Sequence, residues 1–139
     1  MDNIVDLLFE ARMLKLTERS GYRFLGTGKE TVAEHSFLIT FIAFLMTKYN
    51  PDVDPLKIIT MCLLHDLPEA RIGDLNAVEK KYVSANEEKA IADMVANLPF
   101  GKSISDLLDE FKKCETLEAK LANDADQLAF ILDLKAHID

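Results

Sequence analysis

The groups able to do chemistry are densest in CLLHDLPEARIGD, residues 62–74, where an apolar helical run ends on an imidazole and a carboxylate side by side, His65 and Asp66. A charge at the end of a buried helix is costly unless something positive meets it. An arginine would serve, and so would a divalent metal ion. His35 likewise borders an apolar run, FLITFIAFLM, residues 37–46. Either histidine, alone, can be a hydrogen-bonded core residue with no further duty. Late in the chain, LANDADQLAFIL sets Asp124 and Asp126 beside an apolar stripe formed by Leu121, Ala125, Leu128 and Ile131 or Leu132. Two imidazoles and two carboxylates make a mixed nitrogen and oxygen donor set suited to Mn, Fe, Co, Ni or Zn, with positions open for water.

Further acids follow the His-Asp pair. Glu69 falls four residues after His65 and three after Asp66, on the same helical face unless Pro68 turns it away. It is either a proton-handling group near a metal site or a solvated glutamate with Arg71 close by. Asp74 follows Gly73 and can equally cap the next segment, NAVEKKYV.

Helices must position these groups. Ile4, Leu7, Leu8, Ala11 and Leu14, with Met13, have helical period and predict a core-facing helix over residues 2–16. TERSGYRFLGTGKE holds three of the five glycines and reads as a loop. Thr31 and Glu34 form a capping box for a helix from Val32 to Lys48, buried on most sides. Asn50-Pro51 ends it, and Asp54-Pro55 opens the helix that carries the His-Asp pair, which Pro68 kinks or loosens and Gly73 stops. NAVEKKYV predicts a short helix, Ser84 caps ANEEKAIADMVANL, Pro99-Phe100-Gly101 terminates it, and ISDLLDEFKKC and LEAKLANDADQLAFILDLKAHI supply two more. No strand-like alternation, repeat or linker interrupts this pattern, so the expected fold is all-α and a single domain over residues 1–139.

Composition restricts the partners. With 139 residues, 49% of them hydrophobic, the chain can bury an ordinary core. Sixteen basic against 24 acidic residues leave a net charge of -8, so no diffuse basic face exists to track long nucleic acid. A small anion is compatible, because one metal ion and one or two arginines invert the local field. Cys62 and Cys114 form no CxxC and no disulfide framework, which fits a reducing, cytoplasmic compartment. Acidic residues near the N-terminus exclude the basic n-region of a signal peptide. The run 37–46 is about half the roughly 20 residues needed to cross a bilayer, so no membrane role is expected.

AEHS, LLHDLPEARIGDL and DADQL, in that order, resemble the HD-domain metal-dependent phosphohydrolases, specifically the 5'-deoxynucleotidase branch, from about Leu14 to Leu132. The resemblance implies an HD-type helical bundle with one divalent ion held between helices by His35, His65, Asp66 and Asp126, while Asp124 does not match. It implies Glu69 and Asp74 as catalytic groups, Glu69 orienting or deprotonating the attacking water and Asp74 near the leaving oxygen. It places Arg19 of RSGY on the substrate phosphate. Where members often carry a tryptophan close to the sugar, this chain has Tyr22. Members commonly form homodimers and usually continue through another helix where this sequence stops at Asp139.

The implied reaction is hydrolysis of a (deoxy)ribonucleoside 5'-monophosphate to inorganic phosphate and a nucleoside. Another HD chemistry, on a nucleoside triphosphate or a signalling nucleotide, would keep the same four ligands. A metal-stabilised helical module without catalysis would not need Arg19, Glu69 and Asp74.

Overall fold

The computed structural model describes residues 2–138. Its helices are α1 (Asp2–Met13), α2 (Tyr22–Leu25), α3 (Val32–Tyr49), α4 (Pro55–Leu64), α5 (Glu69–Ile72), α6 (Glu87–Val95), α7 (Gly101–Lys113) and α8 (Leu117–Ile138), with a 3-10 turn at Glu79–Lys81. Among the described residues there is no strand, only an isolated antiparallel bridge between Glu18 and Thr31, and the expected all-α class holds. No described helix is long and apolar enough to cross a membrane.

The chain divides into two compact units. One comprises residues up to Glu34 together with Asp66–Ser105; the other comprises His35–His65 together with the stretch from Asp106 onward.

In the first unit α1 packs against α5 and α6, and α5 also meets α6. Arg71 of α5 donates through Nε to Glu10 of α1 at 2.7 Å. The loop after α1 is pinned at its base, where Arg19 N–H donates to Glu30 O at 2.9 Å and Val32 N–H to Thr17 O at 2.8 Å. The capping box closes as expected: Thr31 N–H donates to Glu34 Oε2 at 2.7 Å, and Glu34 N–H to Thr31 Oγ1 at 3.2 Å.

In the second unit α4 packs on α8. Ala119, Ala122, Ala125 and Ala129 line the buried side of α8 and meet a core that includes Ile58, Met61 and Cys62 of α4 and Ile39, Ile42 and Ala43 of α3. Small side chains at this seam let two helix backbones approach closely. Asp54 caps α4, accepting from Lys57 N–H at 3.1 Å, with Pro55 at the first helical position.

Several expectations are corrected. The helix over residues 2–16 ends at Met13, and its stripe is not a core stripe: Ile4, Leu8 and Met13 are exposed, Leu8 at 65%, while Leu14 is buried. Residues 37–46 are not buried on most sides; Phe37 is 71% exposed, and Phe41, Phe44 and Leu45 are exposed too. On α8 the stripe through Leu128, Ile131 and Leu132 is open, and the alanines take its place. Apolar period locates a helix but does not say which of two apolar faces the chain itself covers. Instead of kinking or loosening at Pro68, the helix carrying the His-Asp pair is interrupted: α4 stops at Leu64, and Pro68, which has no N–H to donate back to Leu64 O, caps the separate turn α5. Asn86, not Ser84, caps α6, through Lys89 N–H at 2.9 Å. Gly101 opens α7 instead of ending α6: a Cβ there would lie 2.2 Å from Val95 O, so glycine permits the close approach of backbone to backbone.

Candidate metal centre and substrate loop

His35, on the first turns of α3, is fully buried. Its Nε2 lies 2.7 Å from Asp126 Oδ1 of α8. His65 is the C-cap of α4. Its Nδ1 is 3.0 Å from the carbonyl oxygen of Cys62, and its ring lies against Phe111 with centroids 5.0 Å apart. A carbonyl only accepts, so Nδ1 carries the proton and Nε2 presents its lone pair. This is how a metal-ligating histidine is held in one tautomer.

One donor atom from each of His35, His65 and Asp126 lies within 4.8 Å of the others. Two imidazoles and a carboxylate at that spacing, projected from three packed helices, fit a divalent ion of the borderline class. Cys62, buried in the same unit, is not in this donor group; burial pushes its thiol up to about 12, and the Asp126 charge acts in the same direction. Asp124 is exposed on α8 and is not in the group.

The other unit holds the remaining expected site residues. Asp66 follows His65 in the chain and accepts at its backbone oxygen from Glu69 N–H at 3.0 Å. Glu69 is raised to about 9, first by burial and then by the charges of Asp66 and Asp74, against the opposing pull of Arg19 and Lys80. Its Oε2 is buried with no hydrogen-bond partner among the described residues.

Asp74 does not cap the NAVEKKYV segment. Asn76 Oδ1 accepts there from Val78 N–H and Glu79 N–H, both at 3.0 Å, while Asp74 Oδ2 accepts from Ser20 N–H at 2.8 Å. Gly73, at φ 81°, makes the turn that precedes it, a backbone conformation costly for a residue with Cβ. Arg19 lies 3.6 Å through Nε from Glu30 Oε2, and the buried Tyr22 donates its hydroxyl to the same oxygen at 3.3 Å. Glu30 and Ser20 were not singled out in the sequence. Glu30's only local signal is its place directly before the capping-box threonine.

An all-helical scaffold that aims two histidines and an aspartate at one point belongs, by fold and donor set, to the helical metal-site proteins. The family model for the HD domain matches residues 11–137, and the chain belongs to that family. It is 30% identical to the 5'-deoxynucleotidase HDDC2 of Dictyostelium discoideum, over 95% of this chain and 76% of that protein. Among solved structures it resembles a conserved hypothetical protein from Pyrococcus furiosus, with a TM-score of 0.80, 31% identity, and 95% of this chain and 81% of that one covered. It also resembles a predicted metal-dependent phosphohydrolase from Magnetospirillum magnetotacticum, with a TM-score of 0.78, 28% identity, and 95% and 70% covered. Family and donor set together imply a divalent metal.

Proposed function

We propose that the chain, working as one HD domain, is a divalent-metal-dependent phosphohydrolase that removes the 5'-phosphate from (deoxy)ribonucleoside monophosphates. The observation that carries this reading is the convergence of His35, His65 and Asp126 within 4.8 Å in a chain similar to a 5'-deoxynucleotidase. Asp66, one peptide bond after His65, completes the ligand set for one Mn, Fe, Co, Ni or Zn ion. When bound, that ion supplies Lewis-acid polarisation and acidifies water.

The chain's own residues do the rest. Arg19 binds the phosphate through its guanidinium, a fork of donors matched to phosphate oxygens. Glu69 handles the attacking water, orienting it or taking its proton once the carboxyl, raised to about 9 in the metal-free chain, is ionised. Asp74, with one oxygen held by Ser20 N–H, acts near the leaving oxygen through the other. Tyr22 lines the sugar, and a ring smaller than tryptophan rejects ribose only in part. Two free cysteines suit a cytoplasmic setting. The exposed Phe37, Phe41 and Phe44 on α3 suit a homodimer, which sedimentation would test: a monomer at micromolar concentration removes that part.

The decisive experiment screens nucleoside mono-, di- and triphosphates with each divalent ion and separates released phosphate from pyrophosphate. Phosphate from 5'-deoxymonophosphates should dominate. Pyrophosphate or triphosphate from a nucleotide, with monophosphates untouched, would overturn the reading.

A further inference from the structure

Glu30 has no part in the chemistry above, although at 8% exposure it is the most buried carboxylate among the described residues. It faces a cavity of about 290 Å³ whose wall also includes Arg19, Tyr22 and Lys29. Every cation of this loop already meets a carboxylate, but the pairs differ. Arg23 with Glu79 at 3.5 Å and Lys29 with Glu18 at 3.4 Å have cationic side chains 70% and 78% exposed, where water screens them. Arg19 with Glu30 is largely enclosed. Glu30 Oε2 also takes the Tyr22 hydroxyl, and Glu30 O takes the Arg19 N–H. The residues assigned to phosphate and sugar thus meet on one oxygen atom.

We infer that Glu30 is the positioning residue of the substrate loop. It holds the Nε edge of Arg19, leaving both Nη nitrogens for phosphate oxygens, and it holds Tyr22 by its hydroxyl, so that sugar discrimination and phosphate binding share one anchor. The inference rests on the phosphohydrolase reading above. A carboxylate beside a phosphate clamp repels an anionic substrate, so if Glu30 acted only as a charge, its removal would tighten binding. Positioning has the opposite sign: removal weakens binding.

The test uses the full chain with its divalent ion, comparing Glu30→Ala and Glu30→Gln on a deoxyribonucleoside and a ribonucleoside 5'-monophosphate. Alanine should raise KM by roughly 10-fold, the scale of one charge-assisted hydrogen bond, with kcat little changed. The deoxy-to-ribo ratio of kcat/KM should move toward one. Glutamine, which keeps an acceptor oxygen, should fall between alanine and wild type. Tyr22→Phe should alter the sugar ratio in the wild-type background and not in Glu30→Ala, because the hydroxyl acts through that carboxylate. If circular dichroism shows that the alanine protein does not fold, Glu30→Asp replaces it: the charge stays, the reach shortens, and a raised KM supports positioning.

An unchanged or lowered KM in a folded alanine or aspartate variant overturns the inference, as does an undiminished Tyr22→Phe effect in the alanine background. If the wild type hydrolyses no nucleoside monophosphate, the phosphohydrolase reading falls and this inference with it. An active wild type beside indifferent Glu30 variants sinks the inference alone.

Discussion

The two units hold their candidate site groups by different means. In one, His35, His65 and Asp126 sit on helices whose spacing is set by packed apolar side chains, with the His65 tautomer fixed by a backbone carbonyl. In the other, Arg19, Tyr22 and Asp74 lie on a loop, a four-residue helix and a turn, fixed mainly by hydrogen bonds to one another's neighbours. A helix-borne donor set is stiff and suits an ion that tolerates little error in ligand position. Loop-borne groups can adjust to a substrate, and each depends on one or two polar contacts. Damage to the first set should therefore abolish function outright, whereas damage to the second should grade it.

The largest effect is expected at Asp126. Asp126→Ala should lose bound metal by elemental analysis and all measurable turnover while remaining helical by circular dichroism, whereas the exposed Asp124→Ala should keep the ion. Full metal content in the Asp126 variant would dissolve the contrast between the units.

Glu69→Gln comes next. It should keep the metal yet lose roughly 10²- to 10⁴-fold in turnover, the usual worth of general acid or base assistance. The same variant has a second readout in metal-free protein. The folded carboxyl titrates near 9 against an ordinary 4.5, so between those values the native state binds a proton that the unfolded chain has released. This group's contribution to stability therefore declines as pH rises through that window. Glutamine has no such proton, so its advantage in Tm should grow from about pH 4.5 and level off above about 9; a pH-independent difference would refute the assignment.

The smallest effect is expected at Arg19, where alanine should raise KM for monophosphates by roughly 10-fold, with kcat nearly intact and to the same extent for both sugars. That insensitivity to sugar separates Arg19 from Glu30.

What was legible in the sequence were features decided locally. The capping box at Thr31 and Glu34, Asp54-Pro55 ahead of α4, and the all-helical class follow from side chains acting within a turn of themselves. The resemblance implied four ligands, His35, His65, Asp66 and Asp126; donor atoms of His35, His65 and Asp126 lie within 4.8 Å of one another, and Asp66 is not in that group. Less was legible where distant segments decide. The α8 seam runs on alanines whose significance appears only when α4 lies against them. Gly101 looked like a stop because it closes Pro99-Phe100-Gly101; its close approach to the Val95 carbonyl, which is what requires glycine, is not revealed by spacing. Glu30 was hidden because an ion pair with Arg19, eleven residues earlier, depends on how the loop folds back on itself.

The break in the helix after Leu64 bears on how a metal would enter. α4 ends at Leu64 and His65 is its C-cap, which sets the imidazole Nδ1 3.0 Å from the Cys62 carbonyl oxygen. The proton is thus parked on the nitrogen facing the backbone before any ion arrives, and a neutral His65 need not exchange one tautomer for the other to become a ligand. A helix that stops at Leu64 shortens the list of events that must precede metal capture.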